Sequence, residues 1–491
     1  MATALSCVKL GFAPTRRTVF SREEAVRFRV LTEARMSSLG VDYVSLAGLN
    51  EDELLYDPAD VPEVLRRFRA EGVEALFLPL CNFGTELAVA TLARRLGVPV
   101  LLWGPRDDAP LPDGTRLRDT QCGLFATGKD LRRAGVPFSY LVNCRLEDPV
   151  FARGLSNFLA ASNVVKTFRS LRVGQVGTRP APFASVIASE GALMERFGIE
   201  IVPLELGRLL DGARRRAASP DSGVDDARRL ITDAYALSPE VDADALTRMA
   251  ALFAALEDWV HGEGLTALGV QCWDYLQEAL GICSCFIVGL MAERGIHVAC
   301  ETDLHGAITS SLLAAAACGE QPPFFADLTV RHPTNDNAEL LWHCGPFPPS
   351  LAAPGEHPTI VSNYIAPQAC AGLGEFRMKE GEITLARFDG DHDEYYLMAG
   401  EGRTTDGPHV RGSYAWFEVN DWPAWEERLV RGPYIHHVSG AYGHYAPVLY
   451  EATRFLPGVQ PDLLDPTQAE VEAWLRGADC QLGPDGDWSL A

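Results

Sequence analysis

The sequence lacks the signatures of several common protein classes. No G-x-G-x-x-G pattern follows the first predicted strand, and no G-x-x-x-x-G-K-[ST] pattern occurs, so neither a dinucleotide site nor a P-loop is predicted. No apolar run approaches the roughly 18 residues of a membrane-spanning helix. Basic residues are outnumbered, with 43 Lys and Arg against 66 Asp and Glu and a net charge of −23. Nucleic acids and anionic membranes both require a basic face, so neither is expected as a partner.

Cysteine pairs of the zinc-binding type are also missing. The 12 cysteines are scattered, and none forms a C-x-x-C pair. The N-terminus has no secretory signal pattern, so we expect reduced thiols and a cytoplasmic location. An enzyme with Cys81 or Cys344 as nucleophile is an alternative, which would need a histidine within hydrogen-bond reach of the thiol.

Short apolar runs alternate with amphipathic stretches through the first 170 residues, which predicts a parallel, doubly wound sheet in residues 1–170. In such sheets the functional loops follow the carboxyl ends of the strands. Two loops are candidates here: Arg16 and Arg17 follow the first strand, and Asn82 and Phe83 follow the third. A solvated loop is the alternative for the arginine pair.

A second unit of the same kind is predicted for residues 171–347. Its first strand, Val173 to Val176, leads into a Thr-Arg loop, as the first strand of the chain also does. After Pro346 prolines and short strands with Gly/Asp turns predict a β-rich domain, a small barrel or sandwich, in residues 348–491. The predicted fold class is therefore α/β, with two Rossmann-like doubly wound parallel-sheet domains followed by a β-rich C-terminal domain.

Two carboxylates of the second unit directly follow apolar runs. Glu301 follows Ile296 to Cys300, and Asp327 follows Pro323 to Ala326, with a helical pattern between them. Strand–helix–strand would place both on one side of a sheet. His343 follows another short run, so two carboxylates and an imidazole form a candidate divalent-metal site. A histidine cluster further on, His436, His437 and His444, favours one more ligand.

These residues carry a resemblance to a known family. Glu301 in the C-E-T-D segment, Asp327 and the His436–His437 pair, in this order and spacing, resemble the L-fucose and L-arabinose isomerases. The resemblance implies a metal site of Glu301, Asp327 and His437, with His343 as a further ligand of the arabinose branch. It implies a homo-oligomer, a trimer or hexamer, with active sites near subunit contacts. The implied or expected sugar-binding residues are Arg16, Arg17, Asn82, Phe83, Gln271, Trp273 and His444.

The chemistry of sugar isomerisation fits this set of residues. A hard divalent cation suits carboxylate and imidazole ligands, and Mn²⁺ is the ion that we expect. Glu301 and Asp327 could transfer a proton between C1 and C2 of an open-chain aldose through a cis-enediol, with a hydride shift as the alternative. An epimerase, a lyase or an isomerase of a phosphorylated or sulfonated sugar would use the same site. A non-catalytic sugar-binding protein is the alternative from another class.

Overall fold

The N-terminal part of the chain is a parallel sheet covered by helices. In the computed structural model, which describes residues 7–365 and 370–478, this part contains β1 (Leu10–Phe12), α1 (Arg22–Ser38), β2 (Tyr43–Val44), α2 (Val61–Ala70), β3 (Ala75–Pro79), α3 (Glu86–Leu96), β4 (Val100–Trp103), α4 (Thr120–Arg133), β5 (Ser139–Tyr140) and α5 (Pro149–Arg169). The strand order is β2-β1-β3-β4-β5. Ser21 caps the start of α1 by accepting from the N–H of Glu24.

The second part repeats this plan with a sheet of order β10-β9-β6-β7, again parallel. Its elements are β6 (Arg172–Val176), α6 (Glu190–Phe197), β7 (Glu200–Leu204), α7 (Leu206–Ala218), α8 (Ser222–Ala234), β8 (Ala236–Leu237), α9 (Ala243–Glu263), β9 (Ala267–Val270), α10 (Tyr275–Leu280), α11 (Cys285–Ala292), β10 (His297–Ala299) and α12 (Leu304–Ala316). α6 begins at Glu190, because Ser189 caps it by accepting from the N–H of Ala192.

The third part is β-rich, as predicted, but it begins before the predicted start at residue 348, because its first two strands lie ahead of that residue and pair with the later strands. It contains β11 (Phe324–Arg331), β12 (Ala338–His343), β13 (Thr359–Ser362), β14 (Ala371–Arg377), β15 (Glu382–Asp391), β16 (Glu394–Thr405), β17 (Ser413–Glu418), α13 (Trp422–Arg431), β18 (His437–Tyr442), α14 (Ala446–Thr453), β19 (Val459–Leu463) and α15 (Gln468–Leu475). β16 pairs with both β15 and β17, which closes β16-β15-β18-β11-β12-β17 into a barrel. Of the predicted alternatives, barrel and sandwich, the structure therefore has the barrel.

One predicted connection differs in the structure. Glu301 and Asp327 do lie in a strand–helix–strand unit, β10-α12-β11, but its two strands lie in different sheets. β10 pairs with β9 in the second parallel sheet, whereas β11 pairs with β12 and β18 in the barrel. α12 packs on the outer face of the barrel, with Ser310 Oγ 2.8 Å from Ser439 Oγ on β18. The candidate carboxylates therefore face each other across the junction between a sheet and the barrel.

Among the residues that the structure describes, no helix is both long and apolar enough to cross a bilayer.

Candidate metal centre

The three predicted ligands Glu301, Asp327 and His437 meet at this junction. Glu301 lies in a single 3-10 turn directly after β10, Asp327 is on β11, and His437 begins β18. Asp327 and His437 are direct cross-strand neighbours in the barrel. His437 Nε2 lies 3.1 Å from Glu301 Oε2 and 3.6 Å from Asp327 Oδ1. His343, at the end of β12, joins them with its Nε2 3.8 Å from Asp327 Oδ1.

Asp303, to which the sequence analysis gave no role, orients His437. Its Oδ2 lies 2.9 Å from His437 Nδ1, and an ionised carboxylate can only accept, so Nδ1 carries the proton. Nε2 is then directed at Glu301 and Asp327. Asp303 is itself fixed, since it caps α12 by accepting from the N–H of Gly306 at 3.0 Å. The carboxylate–imidazole pair is the usual arrangement behind a metal-bound histidine.

A buried arginine, also missed from the sequence, supports Asp303. Arg387 on β15 is 1% exposed and donates to both oxygens of Asp303 and to Oδ2 of Asp389, which lies 2.8 Å from its Nε. Asp389 Oδ1 in turn lies 2.7 Å from His305 Nδ1. A charged residue inside the apolar run Ile383 to Phe388 was the available sequence signal. The network gives each buried charge an opposite partner, which burial of charge requires.

The network shifts the pKa values of the site in a consistent direction. Burial alone would raise the pKa of Asp303 and of Glu301. The charge of Arg387 and the bond to His437 outweigh it at Asp303, and the neighbouring histidines outweigh it at Glu301, so both pKa values lie below the usual range. Burial would lower the pKa of His437, but its contacts with Asp303 and Glu301 raise it to about 9. Asp303 and Glu301 are therefore both ionised at neutral pH, and Glu301 carries a charge that suits a cation.

The backbone under Glu301 is unusual. Glu301 and Thr302 both have positive φ, 56° and 57°, a conformation that non-glycine residues rarely adopt. The turn is held by the Nε1–H of Trp273, which donates to Glu301 Oε1 at 2.8 Å, and by the N–H of Glu301, which lies 3.4 Å from Cys272 Sγ. Strained backbone of this kind is typical of functional sites, because the surrounding structure must fix it.

Although Glu301 Oε2 lies 3.1 Å from His437 Nε2, three buried polar atoms of the site make no regular hydrogen bond to the described residues: Glu301 Oε2, Asp327 Oδ1 and His343 Nε2. Such atoms are rare in folded proteins and call for a bound water or ion. In addition, ligand atoms of Asp327, His436 and His437 lie within 4.8 Å of one another, so His436 is a further candidate that the sequence analysis did not assign. Carboxylate oxygens with imidazole nitrogens suit Mn²⁺ and similar cations.

A cavity of about 330 Å³ opens onto these residues. Its walls include Glu301, Asp327, His343, His436 and the predicted sugar-binding residue Trp273. Gln271, also predicted, lines an adjacent cavity of about 450 Å³ that Trp273 shares. Phe183 forms part of the wall as well, with its ring 5.0 Å from Trp273 and 6.3 Å from His437.

The other predicted sugar-binding residues do not line either cavity. Arg16 pairs with Asp52, and Arg17 pairs with Glu86 and covers the ring of Phe83. Asn82 is buried and bonds to backbone atoms of Arg17 and Ser21. These contacts hold the two N-terminal loops together at the carboxyl edge of the first sheet. Their predicted part in sugar binding stays a prediction.

His444 is also remote from the predicted ligands along β18. It follows the far end of the strand that His437 begins, and its Nδ1 lies 2.7 Å from Glu401 Oε2. Of the two cysteines considered as nucleophiles, Cys81 is fully buried, which raises its pKa to about 12. Cys344 has a histidine in reach, His343 Nδ1 at 3.1 Å. The contact with Cys285 would lower the pKa of the Cys344 thiol, but burial and the nearby carboxylates outweigh it and raise that pKa, which disfavours a thiolate nucleophile.

Comparison with known proteins points to the same chemistry. The family model of the fucose/sulfoquinovose isomerase N-terminal domain matches residues 11–169. This match confirms the predicted resemblance to the fucose isomerase-like family over the N-terminal part of the chain. A sulfoquinovose isomerase of Alkalicoccus urumqiensis is 26% identical over 72% of this chain and 78% of its own. One of Priestia aryabhattai is 26% identical over 63% of this chain and 67% of its own.

Among solved structures, a periplasmic solute-binding protein of Actinobacillus succinogenes with bound D-allose is 11% identical, over 64% of this chain and 92% of that one. The TM-score is 0.16, so this likeness carries no argument for the sugar-binding alternative.

Proposed function

We propose that this protein is a divalent-metal-dependent aldose–ketose isomerase of a sulfonated hexose such as sulfoquinovose. The observation that carries the proposal is the convergence of Glu301, Asp327 and His437, whose buried carboxylate oxygens have the histidine ring nitrogen as a neighbour but make no regular hydrogen bond. The match to the fucose/sulfoquinovose isomerase N-terminal domain supports the reaction class, and the similar proteins are named as sulfoquinovose isomerases.

The metal would be held by Glu301 Oε2, Asp327 Oδ1 and His437 Nε2, with His343 and His436 as further donors. Mn²⁺ is the proposed ion, because oxygen-rich sites with imidazole suit it. When bound, it would supply a Lewis acid for the sugar oxygens at C1 and C2. Asp303 would keep one proton on His437 Nδ1, and metal binding would release the other proton from Nε2, which then becomes the ligand atom.

The protein groups would then move the protons. One carboxylate of the pair Glu301 and Asp327 takes the proton from C2 of the open-chain aldose, and a proton is returned to C1. The hydroxyl proton at O2 passes to O1, which completes the change from aldose to ketose. Trp273 donates to Glu301 Oε1 and so fixes which oxygen of that carboxylate faces the sugar.

The substrate screen that tests the proposal uses protein stripped of metal and reloaded with Mn²⁺. We expect conversion of sulfoquinovose to its 2-ketose and loss of that conversion on chelation. Glu301→Gln and Asp327→Asn should each reduce kcat by at least about 10³-fold, because each removes both a ligand charge and a proton carrier. Full turnover by either variant would contradict the assignment, and a C2 epimer as product would favour the epimerase alternative.

We also propose a homo-oligomer, trimer or hexamer, in the cytoplasm. Its support is that Arg17 and Phe83 do not reach the cavity of their own chain, while apolar side chains next to them in sequence are exposed, with Val19 at 78% and Leu87 at 61%. Sedimentation analysis of the purified protein measures the assembly, and a monomer at micromolar concentration would contradict it.

A further inference from the structure

The second cavity, next to the candidate metal centre, has a basic side chain in its wall. It is lined by Thr178, Arg179, Pro180, Ala181, Gln271, Trp273 and Asp274. Trp273 and Asp274 also line the cavity of the metal centre, so the two spaces are neighbours. Among the described residues that line either space, Arg179 is the only arginine or lysine.

The guanidinium of Arg179 is held in place without an acidic partner. Its Nη1 donates to the carbonyl oxygens of Pro180 at 3.3 Å and Ala181 at 3.1 Å. No carboxylate of the described residues lies within 4.0 Å of it. Most other arginines near this part of the fold have one; Arg172, for example, pairs with Glu200. Arg179 therefore keeps donors free for a ligand with negative charge.

The loop that carries Arg179 is tied to the backbone that carries Glu301. The hydroxyl of Thr302 donates to the carbonyl of Thr178 at 3.1 Å, and the N–H of Thr178 donates to Gln271 Oε1 at 3.0 Å. Gly177 has φ +73°, and a Cβ there would lie 2.5 Å from Gln271 Oε1, so only glycine fits. The distance between Arg179 and the metal ligands is therefore set by fixed contacts.

The position of Arg179 is also one where open α/β sheets bind ligands. It follows β6, which pairs with β7 on one side and with β9 on the other. The strands that come later in the chain therefore lie on both sides of β6, which makes this a switch point of the sheet. Ligands of such sheets bind beyond the carboxyl ends of the strands at this point.

We infer that Arg179 binds the anionic substituent at the end of the sugar remote from C1 and C2, and so sets the preference for a sulfonated over a neutral hexose. This inference rests on the proposed isomerase function. Arginine suits the task because its planar donors match the oxygens of a sulfonate or phosphate. The charge of Arg179 balances that of Asp274, so the lining of the second cavity is formally neutral. Without Arg179 the lining would carry a net negative charge and repel an anion.

Direct binding tests the inference. Calorimetry would measure the affinity of the Mn²⁺-loaded protein for a 6-sulfonated aldohexose and for its neutral 6-deoxy counterpart. We expect Arg179→Gln to weaken binding of the sulfonated sugar on the order of 10–100-fold, the loss of a charge-assisted bond. Binding of the neutral sugar should not change. Arg179→Lys should keep part of the preference, and Asp274→Asn should strengthen binding of the anion.

Arg215→Gln is the matched control, since Arg215 is an exposed arginine of α7 that lines neither cavity. Equal effects of Arg179→Gln on both sugars, no effect on either, or wild-type protein that binds both sugars equally would each overturn the inference. Arg179-dependent binding without turnover would contradict the isomerase proposal but support the anion subsite. Turnover of the sulfonated sugar that is independent of Arg179 would support the isomerase proposal and contradict the anion subsite.

Discussion

One aspartate controls the geometry of the candidate metal centre without being a ligand. Asp303 caps α12, pairs with Arg387 and accepts from His437, all through two oxygens. Asp303 lies in the C-E-T-D segment, but the sequence alone indicates no role for it, because its partners are 84 and 134 positions away. A carboxylate two residues from a candidate ligand and at a helix N-cap was the only local signal.

We expect Asp303→Asn to weaken Mn²⁺ binding and turnover on the order of 10–100-fold, the usual cost of losing the partner of a ligating histidine. The amide can no longer hold the Nδ1 proton by charge, so His437 Nε2 loses its fixed orientation. Metal titration followed by fluorescence or calorimetry measures the effect.

Asp389→Asn is the matched control for this variant. It also removes one carboxylate from Arg387, but it leaves the contact between Asp303 and His437 intact. Both variants should lower stability by up to about 3–5 kcal/mol, as expected for a broken buried ion pair. Equal loss of metal affinity in both would show that Asp303 acts only through general stability.

At the scale of elements, the first turn of α12 fits tightly between the metal centre and the barrel. Gly306 lies directly over Phe325 of β11, and a Cβ on it would lie 2.6 Å from the Phe325 ring and 2.7 Å from Asp303 Oδ2. The close approach explains a glycine inside a helix, where glycine normally costs about 1 kcal/mol.

Gly306→Ala should therefore destabilise the protein by about 1–3 kcal/mol, because the overpacked side chain must displace Phe325 or Asp303. Gly212→Ala, in α7, should instead stabilise it by about 0.5–1 kcal/mol, since nothing lies within 4 Å of the added methyl group. Chemical unfolding of both variants measures the difference. A gain in stability for Gly306→Ala would contradict the packing described here.

The elements themselves were largely predictable from the sequence. The apolar runs that begin at Ala75 and Ala267 are parallel strands in the structure. Such strands are buried on both faces, so their apolar residues follow one another without polar interruption. The sheet to which a strand belongs was not predictable. β11 follows β10 and α12 as the next strand of a parallel sheet would, yet its partners are β12 and β18. Local pattern identifies a strand, but only distant partners decide its sheet.

At the scale of the whole molecule, the candidate metal centre joins two folding units. Glu301 comes from the edge of the second parallel sheet, whereas Asp327 and His437 come from the barrel. The apolar runs before Glu301 and Asp327 indicated the two carboxylates as ligands, and the family resemblance added His437. The structure brings the three side chains together. The predicted part of His444 in sugar binding stays a prediction, and the structure adds its contact with Glu401. The resemblance did not indicate Arg387.

Bound metal should consequently stabilise the whole protein. A ligand that binds only the folded state at 100 times its Kd adds about 2.7 kcal/mol. We expect Mn²⁺ to raise the Tm of the metal-stripped wild type and to have little effect on Glu301→Gln. His444→Gln is the control and should show the wild-type increase, since His444 lies at the other end of β18. A Tm of the wild type that is insensitive to Mn²⁺ would contradict the proposed ligand set.

The pairing of Asp327 with His437 has a consequence for how this site tolerates change. The two side chains share a face only because side chains alternate along a strand, so deletion of one residue from Phe324 to Ala326 would turn Asp327 away from its partner. The separation of the two donors depends on strand pairing and not on the chain that connects them. Insertions into turns between residues 331 and 437 should therefore leave the donors in place, while a single deletion within β11 should remove them.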